Sequence, residues 1–406
     1  MSVTVGEYRT GVRTEDEASR IRAGASTGGD HVGRAPDSAR IWSLDVFRGM
    51  TVAGMVLVNN PGTWGAIYSP LEHAAWDGWT PTDLVFPFFL FIVGVSITLA
   101  LSRRAESGGG KRDLYLKIAR RSAIIYALGL FLSGFPFFNL STIRLTGVLH
   151  RIAICYLCAA LIFLKTNWRR QVVIVCALLV AYCAILLFIH APGVAAGDLS
   201  KQGSIASYID RAVLGNHIWK GGDKIYDPEG ILSTIGALAT TLIGVLTGHL
   251  LRSRRTAQEK VAAMFVAGVA GVVAGWAWNS WFPVNKALWT SSYVLLTAGM
   301  ALQLLAACYW LIDIQGYKRW SLPFRIFGTN ALAVFFLTGL TARLLTLIKL
   351  TGADGKPIAL QTVIFKNLFA SWASPINASL AFAVCFVLIW LGLTALLYRR
   401  GIFIKV

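Results

Sequence analysis

The sequence predicts an all-α polytopic membrane protein with about ten transmembrane helices and both termini in the cytoplasm. Of its 406 residues, 55% are hydrophobic and only 14% are charged, a composition typical of multi-pass membrane proteins. Apolar runs long enough to cross about 30 Å of hydrocarbon recur along the chain. The predicted spans are residues 44–60, 83–102, 114–134, 145–164, 171–190, 231–251, 260–281, 287–312, 324–348 and 379–398.

The first 40 residues differ from the rest in composition. They are rich in Gly, Ser, Asp and Arg, and they contain no apolar core of the signal-peptide type. We expect residues 1–40 to form a disordered cytoplasmic tail. Residues 41–406 are expected to form one transmembrane domain, with outer loops at about 61–82, 191–230 and 349–378.

The distribution of basic residues predicts the orientation. Most of the 38 Lys and Arg residues fall in the tail and in short connections on one side, whereas residues 61–82 contain none. This positive-inside pattern places His73 at the outer face. The net charge of +18 is therefore explained by topology and by contact with the lipid bilayer, or by an anionic cytoplasmic ligand. No nucleic-acid partner is predicted.

Residues 73–87 carry the strongest chemical signal, because they place an imidazole, two carboxylates and two indoles just before the second span. Histidine is the side chain best suited to proton transfer near neutral pH. Asp77, four residues after His73, would orient the imidazole if the intervening turn is helical. Thr80 and Asp83 fit a capping box, so Asp83 is either a helix cap or a catalytic partner of His73.

Asn59 ends the first span, and the following loop is short enough to bring it near His73. Its amide can orient an imidazole or stabilise a developing oxyanion. The alternative is ordinary capping of the last carbonyls of the helix. Trp76 belongs either to the interfacial aromatic belt or to a surface that stacks on a sugar ring.

Other polar side chains lie within or beside the predicted spans, where an isolated charge costs about 2.5–3.5 kcal/mol at the bilayer centre. Such groups usually form pairs, join helices or bind a ligand. Acidic residues just before the sixth span suit a helix N-terminus, or alternatively the acceptor substrate. The predicted substrate- or cofactor-binding residues of this kind are Asp45, Arg48, His150, Arg151, Asp227, Glu229, Lys286 and Asn330.

Together these segments resemble the heparan-α-glucosaminide N-acetyltransferase family, which comprises a lysosomal transmembrane acetyltransferase and its bacterial relatives. The resemblance runs from about residue 40 to the C-terminus, and its most specific part is the histidine segment. The segments that carry it are residues 44–49, 55–59, 73–87, 147–151, 227–230, 288–290 and 328–330.

The resemblance implies an acetyl-CoA-dependent N-acetyltransferase that delivers the acetyl group to a glucosamine amine on the far side of the membrane. It implies that His73 is the catalytic histidine and Asn59 its companion, and it adds Trp289 to the binding residues. No metal is expected. The compact form suggests the bacterial inner membrane, and a homodimer is a further expectation.

Two questions of chemistry remain open at the level of sequence. His73 would act as a general base or would carry the acetyl group covalently. An O-acyltransferase of envelope glycans would use the same residues on a hydroxyl acceptor. A proton-coupled transporter with His73, Asp77 and Asp83 as its gate is the rival class, but the sequence lacks the repeat symmetry that many transporters have.

Overall fold

The computed structural model describes residues 2–4, 41–106, 111–351 and 355–405. The predicted tail therefore lies outside the described residues, apart from strand β1 (Ser2–Thr4), which pairs antiparallel with β4 (Phe403–Lys405). The rest is almost entirely helical. The first five helices are α1 (Trp42–Asn59), α2 (Val85–Glu106), α3 (Lys111–Gly134), α4 (Val148–Lys165) and α5 (Trp168–Phe188).

The second half of the chain adds eight helices and a short hairpin. The helices are α6 (Ile205–Leu214), α7 (Ser233–Arg252), α8 (Ala257–Asn279), α9 (Ser291–Cys308), α10 (Leu322–Thr329), α11 (Ala331–Leu347), α12 (Leu360–Leu368) and α13 (Pro375–Arg399). A π-helical turn, Tyr309–Ile314, extends α9. Strands β2 (Lys349–Thr351) and β3 (Pro357–Ala359) form the hairpin before α12.

Each predicted span coincides with a helix or a helix pair, which confirms the mostly helical membrane class. Within the described ranges, seven helices are long and apolar enough to cross a membrane, and a bent pair raises the number to eight. Helices α1 and α3 are not among them. The count of ten spans and the cytoplasmic termini stay predictions.

The ninth predicted span, residues 324–348, is not one straight helix. Helices α10 and α11 meet at Asn330 with a bend of 73°. The Asn330 side chain donates to the carbonyl of Ile402 and accepts from the amide of Ile404, so it ties the C-terminal segment to this junction. The hydrogen bonds explain the polar residue within an apolar run, and its binding role stays a prediction.

The bundle is built from close helix pairs, namely α2 with α7, α8 with α9, α1 with α10 and α3 with α4. Gly94 and Gly244 let α2 and α7 touch, because a Cβ atom at Gly94 would lie 1.9 Å from the carbonyl oxygen of Thr241. Close packing of small residues is how helices associate where lipid removes the hydrophobic driving force.

The predicted outer loops gather at one end of the bundle. The Trp76 indole donates to the carbonyl of Leu199 at 2.9 Å, and Nε2 of Gln361 donates to the carbonyl of Pro61 at 3.2 Å. Loops that are far apart in sequence therefore meet at one end of the bundle. The same end holds the His73 segment.

Candidate active site

His73, Asp83 and Lys286 form a hydrogen-bonded cluster at this end of the bundle. Nδ1 of His73 lies 2.7 Å from Oδ1 of Asp83, and Nζ of Lys286 lies 3.1 Å from the same oxygen. The Asp83 side chain is buried, whereas that of His73 is 52% exposed. A carboxylate can only accept, so the bond requires a proton on Nδ1 of the imidazole. Nε2 is then the basic nitrogen, on a side chain open to a reactant.

The capping box predicted at the start of the second span is confirmed, and it explains how Asp83 is fixed. The carboxylate Oδ2 accepts from the amide of Thr80 at 3.0 Å and from the amide of Ala74 at 3.0 Å. Its other oxygen remains available for His73. Asp83 therefore caps the helix and contacts His73 at the same time, because a carboxylate has two oxygens with separate lone pairs; its catalytic role stays a prediction.

Asp77 does not contact His73 as the helical spacing suggested, because residues 73–77 do not form a helical turn. Instead, its carboxylate accepts from Nδ2 of Asn285 at 3.1 Å, and the two residues also form an antiparallel β-bridge. The partner that orients His73 is Asp83. Asp77 attaches the histidine segment to the loop that carries Lys286.

The turn that presents Lys286 is held in an unusual conformation. Trp289 has a φ of +52°, a region that side chains other than glycine rarely adopt. The indole is buried and donates to Oγ1 of Thr240 at 3.1 Å, and the amide of Leu288 donates to Oδ1 of Asn285. This turn brings Nζ of Lys286 beside the His73 ring, 2.9 Å from Nδ1 and 3.4 Å from Nε2. Because a protonated Nδ1 cannot accept a hydrogen bond, the ammonium donates to the carboxylate of Asp83 instead. Burial lowers the pKa of Lys286, although Asp83 opposes the shift.

The sequence left open whether Asn59 caps the end of α1 or interacts with the reactants. In the structure, the cap is formed by its neighbour Asn60. Asn60 is buried and caps α1, since its side chain donates to the carbonyl of Val56 at 2.7 Å. Asn59 is exposed, and its side chain makes no hydrogen bond to another described residue. It lines a cavity of about 690 Å³ between α1, α3, α4 and α11. The capping alternative therefore applies to Asn60, which leaves the amide of Asn59 available for a ligand.

A second ionic cluster lies beside the cavity. Arg144 binds Asp227 through Nε at 3.1 Å and Glu229 through Nη2 at 2.6 Å, and Asp227 also accepts from Thr146. Burial alone would raise the pKa of Asp227, but its hydrogen bonds and the Arg144 charge hold it below its usual value. This cluster anchors the segment before α7. The sequence did not single out Arg144, and the only signal available was a lone cation in an outer connection.

His150 and Arg151 lie at the start of α4 and are both buried. Arg151 donates through Nη2 to the carbonyl of Gly230 at 3.1 Å and to Ser233, and its guanidinium lies 5.1 Å from the Trp289 ring centre. Within the described part of the chain, Nε2 of His150 and two guanidinium nitrogens of Arg151 are buried without a hydrogen-bond partner. Buried donors of this kind are usually completed by water or a ligand.

The remaining predicted residues lie apart from His73. Trp76 packs edge-on against Tyr226 with ring centres 5.1 Å apart, so it joins the histidine segment to the 191–230 segment. Asp45 and Arg48 form the predicted pair at 3.1 Å within α1, and Arg48 also donates to Ser96 at 2.9 Å. No group of three or more His, Cys, Asp or Glu side chains in the described ranges is arranged to hold a metal ion.

Asp210 in the 191–230 segment gives a prediction for pH. Burial raises its pKa from 3.8 to about 6. The folded protein therefore keeps a proton that the unfolded chain releases near pH 3.8, and the free energy of unfolding falls as pH rises through this window. The contribution is up to about 3 kcal/mol. In Asp210→Asn, we expect thermal unfolding in detergent to lose this part of the pH dependence between about pH 4 and 6.

The control for this experiment is Asp223→Asn, because Asp223 is exposed in the same outer segment. It should leave the pH dependence of the melting temperature as in the wild type. The amide in Asp210→Asn can still accept from the amide of Ile231, as Oδ1 of Asp210 does at 2.8 Å. An unchanged pH slope in Asp210→Asn would contradict the assignment.

Comparisons with known proteins agree with the resemblance read from the sequence. Residues 40–203 match the sequence model of the family described as heparan-alpha-glucosaminide N-acetyltransferase, catalytic. The chain is similar to two proteins named heparan-alpha-glucosaminide N-acetyltransferase. The mouse protein is 29% identical over 74% of this chain and 54% of its own length, and the human protein is 28% identical over 90% and 60%.

The family resemblance is therefore confirmed, and the matched segment contains Asn59, His73, Asp83, His150 and Arg151. The chain spans little more than half the length of these two relatives. Lys286 and Glu229, which the sequence also predicted as binding residues, lie outside the segment that matches the family.

Proposed function

We propose that this chain, whose residues 40–203 match the catalytic segment of the heparan-alpha-glucosaminide N-acetyltransferase family, is an acetyl-CoA-dependent transmembrane acetyltransferase. Its acceptor is the amine of a glucosamine-type sugar at the outer face of the membrane. The observation that carries the proposal is the 2.7 Å contact between His73 and buried Asp83. This contact leaves Nε2 of a half-exposed imidazole as a base.

In the proposed reaction, the sugar amine attacks the carbonyl carbon of the acetyl thioester and gives a proton to Nε2 of His73. The C–S bond then breaks, and the departing sulfur takes the proton from the imidazolium, so that coenzyme A leaves as the thiol. General base catalysis of this kind contributes about 10²–10⁴ in rate. A covalent acetyl-histidine is the alternative route on the same atom, and a pulse of labelled acetyl-CoA without acceptor distinguishes the two.

From the resemblance, which implies that Asn59 is the companion of His73, we propose that Asn59 donates to the oxyanion of the tetrahedral intermediate. Its amide is exposed to the cavity, while its neighbour Asn60 already caps the helix. We expect Asn59→Ala to lower kcat by about 10²–10³, because this is the usual effect of removing one oxyanion donor. The measurement is steady-state acetyl transfer to glucosamine.

Asn60→Ala is the matched control for Asn59→Ala. It removes a buried cap and should lower the melting temperature, with kcat close to that of the wild type. Equal losses of kcat in the two variants would mean that Asn59 acts only through the end of α1, and the oxyanion role would then be rejected.

The proposal as a whole is tested with purified protein in detergent and radiolabelled acetyl-CoA, with and without glucosamine. Label on the sugar amine supports it, and glucose in place of glucosamine tests the O-acyltransferase. A folded protein that neither binds acetyl-CoA nor transfers label would reject the enzyme in favour of the transporter. In sealed vesicles, acetyl-CoA on one side and labelled sugar on the other would test the predicted orientation.

The remaining binding roles are proposed by position. Asp45 and Arg48 lie on α1 at the opposite end of the bundle from His73, where the phosphates of cytoplasmic acetyl-CoA would enter. Asp77, Trp76 and Trp289 support the loops around His73. The bacterial inner membrane and the homodimer stay expectations from the resemblance.

A further inference from the structure

The cavity beside Asn59 has an unusual charge pattern. Its volume is about 690 Å³, and the described residues that line it include three cationic side chains and no carboxylate. The cations are Arg144, Arg343 and Lys349. Net positive charge in a concave site raises the local concentration of an anionic ligand.

Two of these cations have no acidic partner among the described residues. Arg343 makes a single long hydrogen bond, from Nη1 to the carbonyl of Gly339 in its own helix at 3.5 Å. Neither Arg343 nor Lys349 takes part in a salt bridge with another described residue, in contrast to Arg144, which binds Asp227 and Glu229. Unpaired cations at one end of a cavity favour an anion, and a guanidinium can bind a phosphate group with two parallel hydrogen bonds.

Polar atoms elsewhere in the cavity lack partners among the described residues as well. His150 lines the wall and is only 2% exposed, and its Nε2 is buried without a hydrogen-bond partner in the described part of the chain. The amide of Asn59 lies on the opposite helix of the same cavity. Groups of this kind suit the hydroxyls of a sugar, which both donate and accept hydrogen bonds.

Apolar side chains form a further part of the cavity wall, and exposed aromatic side chains stand at its rim. Met55, Leu132 and Phe335 contribute to its walls. Trp64 and Phe137 lie on its rim and are 68% and 82% exposed. Exposed tryptophan marks the interfacial belt of membrane proteins, so this opening would admit a molecule that keeps a hydrocarbon chain in the bilayer.

We propose that this cavity binds a lipid-linked amino sugar through the phosphate that joins the sugar to its hydrocarbon chain. Arg343 and Lys349 hold the phosphate, the apolar wall holds the start of the chain, and His150 and Asn59 face the sugar. The inference rests on the proposed function, because the sugar amine is the acetyl acceptor. The acceptor is therefore a membrane-anchored anionic glycolipid.

The test compares three synthetic acceptors with the purified protein in detergent. They are glucosaminyl decyl phosphate, decyl glucosaminide, which lacks the phosphate, and glucosamine 1-phosphate, which lacks the chain. We expect kcat/KM to be at least about tenfold higher for the first than for either of the others, because only the first offers both a phosphate for the cations and a chain for the apolar wall. Equal kcat/KM for the first two would overturn the role of the phosphate.

The variant Arg343→Gln combined with Lys349→Gln should bring the ratio of kcat/KM for the phosphorylated and unphosphorylated decyl acceptors close to one. The matched control is Lys366→Gln, an exposed lysine on nearby α12 that is not among the cavity residues. This control should keep the wild-type preference. A preference that survives in the double variant would overturn the proposed site.

A binding measurement separates this inference from the proposed function. Glucosaminyl decyl phosphate should raise the melting temperature without acetyl-CoA, and the double variant should lose this shift. Such binding without any acetyl transfer would support the site and reject the acetyltransferase. Transfer to glucosamine without preference for the phosphorylated acceptor would support the acetyltransferase and reject the site. An equal shift with phosphatidylglycerol would identify a site for bilayer lipid and overturn the acceptor assignment.

Discussion

Replacing His73 with alanine is expected to lower acetyl transfer to glucosamine by about 10²–10⁴, the range that a general base contributes. The reason is that Nε2 of His73 is the basic nitrogen of the cluster, with Nδ1 held by Asp83 at 2.7 Å. Because the side chain is half exposed, its removal should change the melting temperature little. The measurement is kcat/KM with labelled acetyl-CoA, together with thermal unfolding of the same samples.

The matched control is His190→Ala, since His190 is an exposed histidine in the outer segment that follows α5. It should retain wild-type transfer. Full activity in His73→Ala with an intact fold would reject both the general base and the acetyl carrier, because each requires this imidazole.

Asp83→Asn is expected to lower kcat by about 10²–10⁴ as well, because an amide in place of the carboxylate allows the wrong tautomer of the histidine. Asp83 uses both oxygens, one for His73 and one for the amides of Thr80 and Ala74. An amide has only one oxygen, so the variant must lose either the orientation of His73 or the helix cap. We expect a lower melting temperature in addition, since loss of a cap costs about 1 kcal/mol.

Thr80→Ala separates the two effects. It removes the hydroxyl of the capping box but leaves the carboxylate of Asp83 in contact with His73. We expect a modest loss of stability, with kcat close to the wild-type value. If Thr80→Ala and Asp83→Asn lose kcat in proportion to their loss of stability, Asp83 acts only as a cap.

The parts of this site that lie close together in sequence were predictable. The capping box spans four residues, so its hydrogen bonds depend on local backbone geometry alone. The family resemblance also follows from short segments in order, and it led to His73 and Asn59. By contrast, the expected contact between Asp77 and His73 assumed a helical turn, which residues 73–77 do not form.

Lys286 shows where a local reading of sequence stops. It is 213 residues from His73 in the chain, and periodicity gives no information about contacts at such a separation. Arg144 pairs with Asp227 across 83 residues, and for the same reason it was not recognised. The cavity requires side chains from four helices, so no single segment predicts its charge or shape.

The sequence by itself determined the membrane class, the helical segments and the chemical identity of the candidate base, because these follow from hydrophobicity and from motifs within a few residues. Only the tertiary structure decided which carboxylate orients His73, which asparagine remains open to a ligand and which cations line the cavity. The physical reason is that hydrogen bonds and ion pairs act over about 3 Å. Helix packing, rather than distance along the chain, determines which groups come that close.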